Sequence, residues 1–178
     1  MSFFEYAIEI IVTPKFIVMP GTFSQLYVQV VFAVRGRQNL IARSWNQELN
    51  KYISGIITAK HQKSIIVNGM PDHIHVFIGL RPSTALSDVV RDIKNNSTNF
   101  INDRHFVKGK FQWQEGYGAF SYGQSQIKHV YDYILNQERE HTTRTFKEEY
   151  VDLLKQFQIE YEERFLFEWI DVSNNESC

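Results

Sequence analysis

The chain has 178 residues, of which 43% are hydrophobic and 22% are charged. This composition excludes a disordered chain and favours one globular domain with a buried core. Cys178 is its one cysteine, which excludes a disulfide framework and is typical of a reducing compartment. No run approaches the roughly 18 uncharged apolar residues that a membrane helix needs, so we expect a cytoplasmic protein without membrane contact.

The net charge of −1 hides an asymmetry along the chain. Residues 1–137 contain 14 lysines and arginines against 9 acidic residues, whereas residues 138–178 contain 5 against 11. The net charges are therefore +5 and −6. A basic body with an acidic tail is compatible with binding a nucleic-acid backbone on one face. An ordinary solvated surface that ends in an acidic helix explains the same counts equally well.

The first 23 residues form an N-terminal extension that ends near Met19-Pro20-Gly21, a loop signal. Either Met19 is the true start of the protein, or residues 7–12 add a strand at the edge of a sheet. After the extension, hydrophobic periodicity and turn residues predict four strands, at 24–35, 63–67, 73–80 and 119–122. They also predict four helices, at 44–58, from Ser83 or Ser87 to about 101, at 125–138 and at 145–157, and an aromatic tail with a short strand at 159–170.

The first six of these elements follow the order β-α-β-β-α-β, which is the split βαβ or ferredoxin-like pattern. We therefore predict an α+β fold, an antiparallel sheet with two helices on one face. The other face of the sheet is free to hold a site, and the helix predicted at 125–138 is expected near that open face.

Two short segments carry residues with metal and nucleophile chemistry. His73 and His75 flank Ile74 in a strand, so both imidazoles point to the same face of the sheet. Tyr133 and Gln137 are four residues apart in a predicted helix, so they share a helical face. Two imidazoles and an amide leave ligand positions open for a phosphate oxygen and water, as a catalytic metal requires. Mixed nitrogen and oxygen ligands suit Mn²⁺ or Mg²⁺, and the absence of cysteine ligands argues against structural zinc.

These segments resemble the insertion-sequence-200-like transposases, which are single-tyrosine members of the HUH (His-hydrophobic-His) endonucleases. The resemblance covers about residues 24–150 and rests on three motifs in the same order and spacing. They are Pro71-Asp72-His73-Ile74-His75-Val76, Trp113-Gln114-Glu115-Gly116-Tyr117-Gly118-Ala119-Phe120 and Tyr133-Ile134-Leu135-Asn136-Gln137. The resemblance divides the chain into the extension at 1–23, a transposase domain at 24–143, and an acidic helix and tail at 144–178.

The resemblance also implies an activity, cleavage and rejoining of single-stranded DNA near hairpin ends. His73, His75 and Gln137 would hold a divalent metal, Mg²⁺ or Mn²⁺, and Tyr133 would be the nucleophile that forms a 5′-phosphotyrosine. No nucleotide cofactor is expected. The family further implies a homodimer in which the tyrosine helix can serve the partner's histidine pair.

Other residues are weaker candidates. Asp72 is placed to orient an imidazole, and His129, one helical turn before Tyr133, is a candidate for proton transfer or metal contact. His61, His105 and His141 lack a partner pattern and are expected on the surface. The candidates for DNA contact are basic residues in two loops and on one helix, namely Arg35, Arg37, Lys94, Arg104, Lys108 and Lys110. Phe106 and Phe111, which alternate with the basic residues of the second loop, either stack on bases or belong to the core, and the core is favoured. Trp113 and Phe120 are also expected to be core.

The main alternative is a non-catalytic protein on the same fold that binds single-stranded DNA or hairpins. A replication or mobilisation relaxase with the same chemistry is a second alternative, although such enzymes usually have more domains. A structural metal protein is the weakest alternative, because no residue supplies a fourth ligand cleanly.

Overall fold

The computed structural model of the protein describes residues 23–166, and these form one four-stranded sheet with helices on both faces. The strands are β1 (Leu26–Ala33), β2 (Lys63–Met70), β3 (His73–Leu80) and β4 (Gly118–Tyr122). The helices are α1 (Arg43–Ala59), α2 (Leu86–Asp103), α3 (Ile127–Leu135), α4 (Gln137–Glu140) and α5 (Phe146–Gln156). The predicted extension, apart from Phe23, and the end of the predicted tail from residue 167 lie outside the described residues.

The sheet is antiparallel throughout, with the strand order β2-β3-β1-β4. β1 and β2 flank β3, and α1 connects them, which is the split βαβ arrangement. The predicted α+β, ferredoxin-like fold is therefore confirmed. Its central pair, β1 and β3, aligns Val31 with His75 and Ala33 with His73.

One face of the sheet packs against α1 and α2 mainly through apolar side chains. Val30 and Phe32 of β1 and Ile74 and Val76 of β3 belong to this core. Period-2 alternation selects them, because every second side chain of a strand points to the same face. The loop before β4 closes this core, since Phe111 and Trp113 are buried in it and Phe106 stacks on Trp45. The expected core role of these aromatic residues is thus confirmed.

The other face of the sheet is covered by α3, α4 and α5. The side-chain amide of Asn68, on β2, donates to the backbone carbonyls of Ile134 at 2.9 Å and Leu135 at 3.2 Å. Carbonyls at the end of a helix have no partner within the helix, so these two hydrogen bonds hold α3 against the edge of the sheet. At the other edge Tyr150 of α5 lies against Gly118, where a Cβ atom would stand 2.8 Å from the tyrosine ring.

Several boundaries differ from the predictions. β2 runs on to Met70, so the hairpin turn shrinks to Pro71-Asp72. The helices α1 and α2 begin after Ala42 and Ala85 rather than at serine caps. No strand follows α5 within the described part of the tail, where a short 3-10 turn occupies Glu163–Phe165 instead.

Candidate active site

His73 and His75 lie side by side on β3, in the middle of the sheet, and point toward α3 and α5. Both are 0% exposed, and their ring centroids are 5.2 Å apart. Ile74 between them points into the opposite core, as the strand period requires. The ring of Phe146 stacks on His73 with a centroid separation of 3.9 Å and excludes water from that side.

Asp72 sets the tautomer of His73. Its Oδ1 lies 2.7 Å from Nδ1 of the ring. An ionised carboxylate only accepts hydrogen bonds, so Nδ1 carries the proton and the lone pair of Nε2 faces the site. Burial lowers the pKa of His73 below its ordinary value of 6.5, with the Asp72 hydrogen bond opposing the shift. The ring is therefore held neutral, the form in which histidine binds metals.

Gln29 of β1 is the hydrogen-bond partner of Nδ1 of His75, and sequence reasoning missed it. Nε2 of its side-chain amide lies 2.9 Å from Nδ1 of His75, and its Oε1 accepts a hydrogen bond of 2.8 Å from the hydroxyl of Tyr122. The amide can turn over, because a hydroxyl both donates and accepts. In the observed orientation the amide nitrogen donates to Nδ1, so a neutral His75 carries its proton on Nε2. Turning the amide over puts its oxygen toward Nδ1 and frees Nε2 of His75 to bind a cation.

The predicted single helix at 125–138 is broken at Asn136. α3 ends at Leu135, and the short helix α4 starts at Gln137, with Asn136 between them at φ −96° and ψ 25°. Tyr133 and Gln137 nevertheless meet the histidine pair. The Tyr133 ring stands edge-on to His75 at 6.0 Å, and Oε1 of Gln137 lies 3.3 Å from Nε2 of His73. All four residues come from the same chain.

Glu149 of α5 occupies the centre of this cluster and was also missed. It is 0% exposed and accepts hydrogen bonds from the Tyr133 hydroxyl, from Nε2 of Gln137 at 2.9 Å and from Nε2 of His141 at 3.0 Å. A sequence signal was available, because position 149 lies between Phe146 and Tyr150 on the apolar stripe of the helix. A charged residue on such a stripe needs buried partners.

The expectation that His141 lies on the surface is wrong. Its side chain is only 9% exposed and packs between His73 and Glu149. The helix break at Asn136 is the physical reason, because it turns the chain back across the site within a few residues. His61 and His105 are exposed, as expected.

The electrostatics of the cluster centre on Glu149 and Tyr133. Burial alone raises the pKa of Glu149, but the surrounding imidazoles of His75, His141 and His73 outweigh it and hold that pKa below its usual range. The donors from Tyr133 and Gln137 favour the same ionised state. Burial and the Glu149 charge raise the pKa of Tyr133 above its ordinary value, while the Arg144 charge opposes this. The tyrosine is therefore a neutral phenol beside a carboxylate.

Residues 22–137 match the family described as "Transposase IS200 like". The chain belongs to this family. A search of curated proteins gives no match. Among solved structures, a protein described as a transposase from Deinococcus radiodurans R1 aligns with a TM-score of 0.54 and 20% identity over 67% of this chain and 95% of that one. A tyrosine transposase bound to a REP hairpin aligns with a TM-score of 0.52 and 17% identity over 67% of this chain and 71% of that one.

Membership identifies the protein as a transposase, an enzyme that cuts DNA. None of the helices in residues 23–166 is long and apolar enough to span a bilayer. In this transposase, a cavity of about 290 Å³ opens beside Tyr133 and gives access to the site. His129, a candidate from the sequence, is exposed on the wall of this cavity. The half-buried Arg144 also lines the cavity, and sequence reasoning missed it.

The residues predicted to contact DNA differ in their exposure and in the groups that they bind within the protein. Arg35 is exposed, donates to Gln112 at 2.6 Å, and lies in the turn after β1, at the His73 end of the sheet; Arg37 ends the same turn. Lys108 and Lys110 are exposed in the loop before β4. Arg104 pairs with Glu48 at 3.5 Å on the α1 side. Lys94 donates to the carbonyls of Gln114 and Gly116 and thereby holds the loop before β4 in place. Burial lowers the pKa of Lys94 to about 8.

A divalent metal fits the residues present. Nε2 of His75 is buried and has no hydrogen-bond partner among the described residues. It points into a cluster that also contains Nε2 of His73 and Oε1 of Gln137, two neutral acceptor atoms. Nitrogen and oxygen donors of this kind suit Mn²⁺ and Mg²⁺.

Proposed function

We propose that this transposase cleaves and rejoins single-stranded DNA at hairpin-flanked ends through a 5′-phosphotyrosine on Tyr133, with Mg²⁺ or Mn²⁺ and without a nucleotide cofactor. The observation that carries the proposal is the position of Tyr133. Its ring lies edge-on to His75, and its hydroxyl shares a buried cluster with the histidine pair and Gln137. A nucleophile next to two imidazoles and an amide is the arrangement that metal-assisted phosphoryl transfer needs.

Three residues would bind the metal ion, and Tyr133 would form the new bond to phosphorus. His73, His75 and Gln137 would hold the divalent ion, which supplies Lewis-acid polarisation of a phosphodiester oxygen. Tyr133 Oη attacks phosphorus, and the Oη–P bond forms as the bond from phosphorus to the 3′ oxygen breaks. The phenol proton leaves along the hydrogen bond to Glu149 and is balanced by the proton that the departing 3′ oxygen gains. The products are a 5′-phosphotyrosine and a free 3′-OH.

Arg144 supplies positive charge at the same point. One of its guanidinium nitrogens lies 3.3 Å from the Tyr133 hydroxyl, and the group is held by Glu140 at 3.3 Å and Asp152 at 3.7 Å. In the cavity beside Tyr133 it is in position to contact the non-bridging oxygens of the scissile phosphate, where charge develops in the transition state.

Rejoining reverses the first step. A 3′-OH from another strand end attacks the phosphotyrosine, restores a phosphodiester and returns the proton to Tyr133. Because the covalent link conserves the energy of the bond, no ATP is required.

The test is a covalent-adduct assay with the full chain. The protein is incubated with single-stranded hairpin DNA from the flanks of its own gene and Mn²⁺ or Mg²⁺, and adducts are separated on a denaturing gel. We expect an adduct with the wild type, none with Tyr133→Phe, and none after chelation of the metal. Tyr131→Phe is the matched control, because Tyr131 is 38% exposed on the same helix.

An adduct on Tyr133→Phe would show that another residue is the nucleophile. Hairpin binding without cleavage in either metal would instead support the non-catalytic alternative. Homodimerisation stays a prediction, and sedimentation of the full chain measures it.

A further inference from the structure

Glu149 has a position that the family motifs do not explain. It lies on α5, beyond residues 22–137 that match the family, yet its carboxylate faces both histidines. Oε2 lies 3.6 Å from Nε2 of His73, and Oε1 lies 3.5 Å from Nε2 of His75. One ligand atom from each of the three residues can be chosen so that all lie within 4.8 Å of one another.

These separations are long for hydrogen bonds but suit atoms that share a cation. Hydrogen bonds of this type are about 2.7–3.2 Å long. Ligand atoms at about 2.0–2.2 Å from a common ion stand roughly 3.0–3.5 Å from one another, because the angles between them are near 90–110°. Oε1 of Gln137, at 3.3 Å from Nε2 of His73, falls in the same range.

The atoms that converge at His73 are acceptors. Asp72 fixes the proton on Nδ1 of His73, so Nε2 presents a lone pair. A carboxylate oxygen of Glu149 and the amide oxygen of Gln137 face it, and neither carries a proton to share. Three lone pairs that meet in a buried space repel one another unless a cation lies between them.

We propose that Glu149 is a ligand of the divalent metal, together with His73, His75 and Gln137. The inference rests on the proposed metal-dependent function. Its carboxylate would neutralise one of the two charges of the ion, and four protein ligands would leave room for a phosphate oxygen and water. Oε2 of Glu149 accepts from His141 and keeps a second lone pair for the ion, so the hydrogen bonds from Tyr133 and Gln137 to Oε1 and from His141 to Oε2 persist and orient the group.

Binding of Mn²⁺ alone provides the first test. Mn²⁺ is titrated into the metal-free full chain and followed by calorimetry or by the electron paramagnetic resonance signal of free Mn²⁺. Loss of an outer contact to a metal ligand already weakens binding about 10–100-fold, so we expect Glu149→Gln to lose at least about 100-fold. Glu149→Asp, which keeps the charge, should lose less. Glu160→Gln, on an exposed site after α5, is the matched control and should bind as the wild type does.

A second test reports coordination directly and does not depend on affinity. Co²⁺ bound to a thiolate gives an intense charge-transfer absorption, since thiolates are favoured soft ligands. Glu149→Cys with one equivalent of Co²⁺ should show this band. The wild type, which has Cys178 as its one cysteine, and Glu160→Cys should not.

The outcomes separate this inference from the proposed function. If folded Glu149→Gln binds Mn²⁺ within about 3-fold of wild type while His73→Ala does not bind, Glu149 is not a ligand, and the metal-dependent function stands. Absence of the Co²⁺ band in folded Glu149→Cys leads to the same conclusion. If the wild type itself binds no Mn²⁺, the metal-dependent function fails. Thermal unfolding of each variant shows which ones are folded.

Discussion

The two faces of the sheet use the same strands for opposite purposes. Toward α1 and α2, β1 and β3 present apolar side chains such as Phe32 and Val76, and these form one continuous core. Toward α3 and α5, the same strands present Gln29, His73 and His75, all buried. One face therefore provides stability through burial, while the other carries the proposed active site.

Apolar side chains surround the buried polar groups on this face of the sheet. On one side Val31, Phe120 and Tyr150 pack together, and on the other Phe77 and Ile134 do so. Water is excluded, so each hydrogen bond among the polar groups is strengthened and each unpaired atom costs more than it would in water.

The largest expected effect concerns the origin of the two halves of the site. Tyr133 and the histidine pair meet within one chain, so a mixture of His73→Ala and Tyr133→Phe proteins should form no DNA adduct. The adduct assay on the mixture measures this. Recovery of activity would show that the tyrosine helix exchanges between subunits, as the family resemblance first suggested.

The next effect tests the apolar face. Phe32 is fully buried and stands edge-on to Trp113 at 4.8 Å. Phe32→Ala should lower the free energy of unfolding by about 3–5 kcal/mol, as removal of a buried aromatic ring does. Urea unfolding measures the loss. The molecules that remain folded should bind Mn²⁺ normally, and a weakened affinity would mean that the faces are not independent.

A smaller effect is expected from the cation beside the nucleophile. Arg144→Ala should slow adduct formation about 100–1000-fold, because it removes charge stabilisation from the transition state. Single-turnover kinetics on a hairpin substrate measure the rate. Arg139→Ala, on an exposed position of α4, is the control. Equal rates for the two variants would exclude a role for Arg144 in the chemistry.

The smallest effect probes the layer behind the metal ligands. Gln29→Leu should weaken Mn²⁺ binding about 10–100-fold, because His75 loses the group that sets its tautomer. Gln29→Glu keeps an acceptor for Nδ1 of His75 and for the Tyr122 hydroxyl, so it should restore affinity. Calorimetry measures both variants. If neither variant changes the affinity, Gln29 is only a packing residue.

Residues close together in sequence were the predictable part of the site. His73 and His75 share a face because strand side chains alternate, and Asp72 is adjacent to the pair. Tyr133 and Gln137 were paired by a spacing of four residues, and both do reach the histidines although Asn136 interrupts the helix. Tertiary packing preserved the pairing that the assumed continuous helix had suggested.

Distant contacts were not predictable in this way. Gln29 is 46 residues from His75, and Glu149 is 76 residues from His73, so no local pattern joins them. His141 looked like an isolated surface residue because the turn that carries it inward depends on how α4 packs on β2. Such contacts arise only when separate elements dock on the same sheet face.

The sequence by itself determined the strand and helix order, the ferredoxin-like fold, the family and the pairing of two histidines with a tyrosine and an amide. Local periodicity and short motifs carry that information, because they act over a few residues. Only the tertiary structure decided that α5 places Glu149 among them. The physical reason that hydrogen-bond donors surround Glu149 is its burial, because a buried carboxylate without partners is energetically costly.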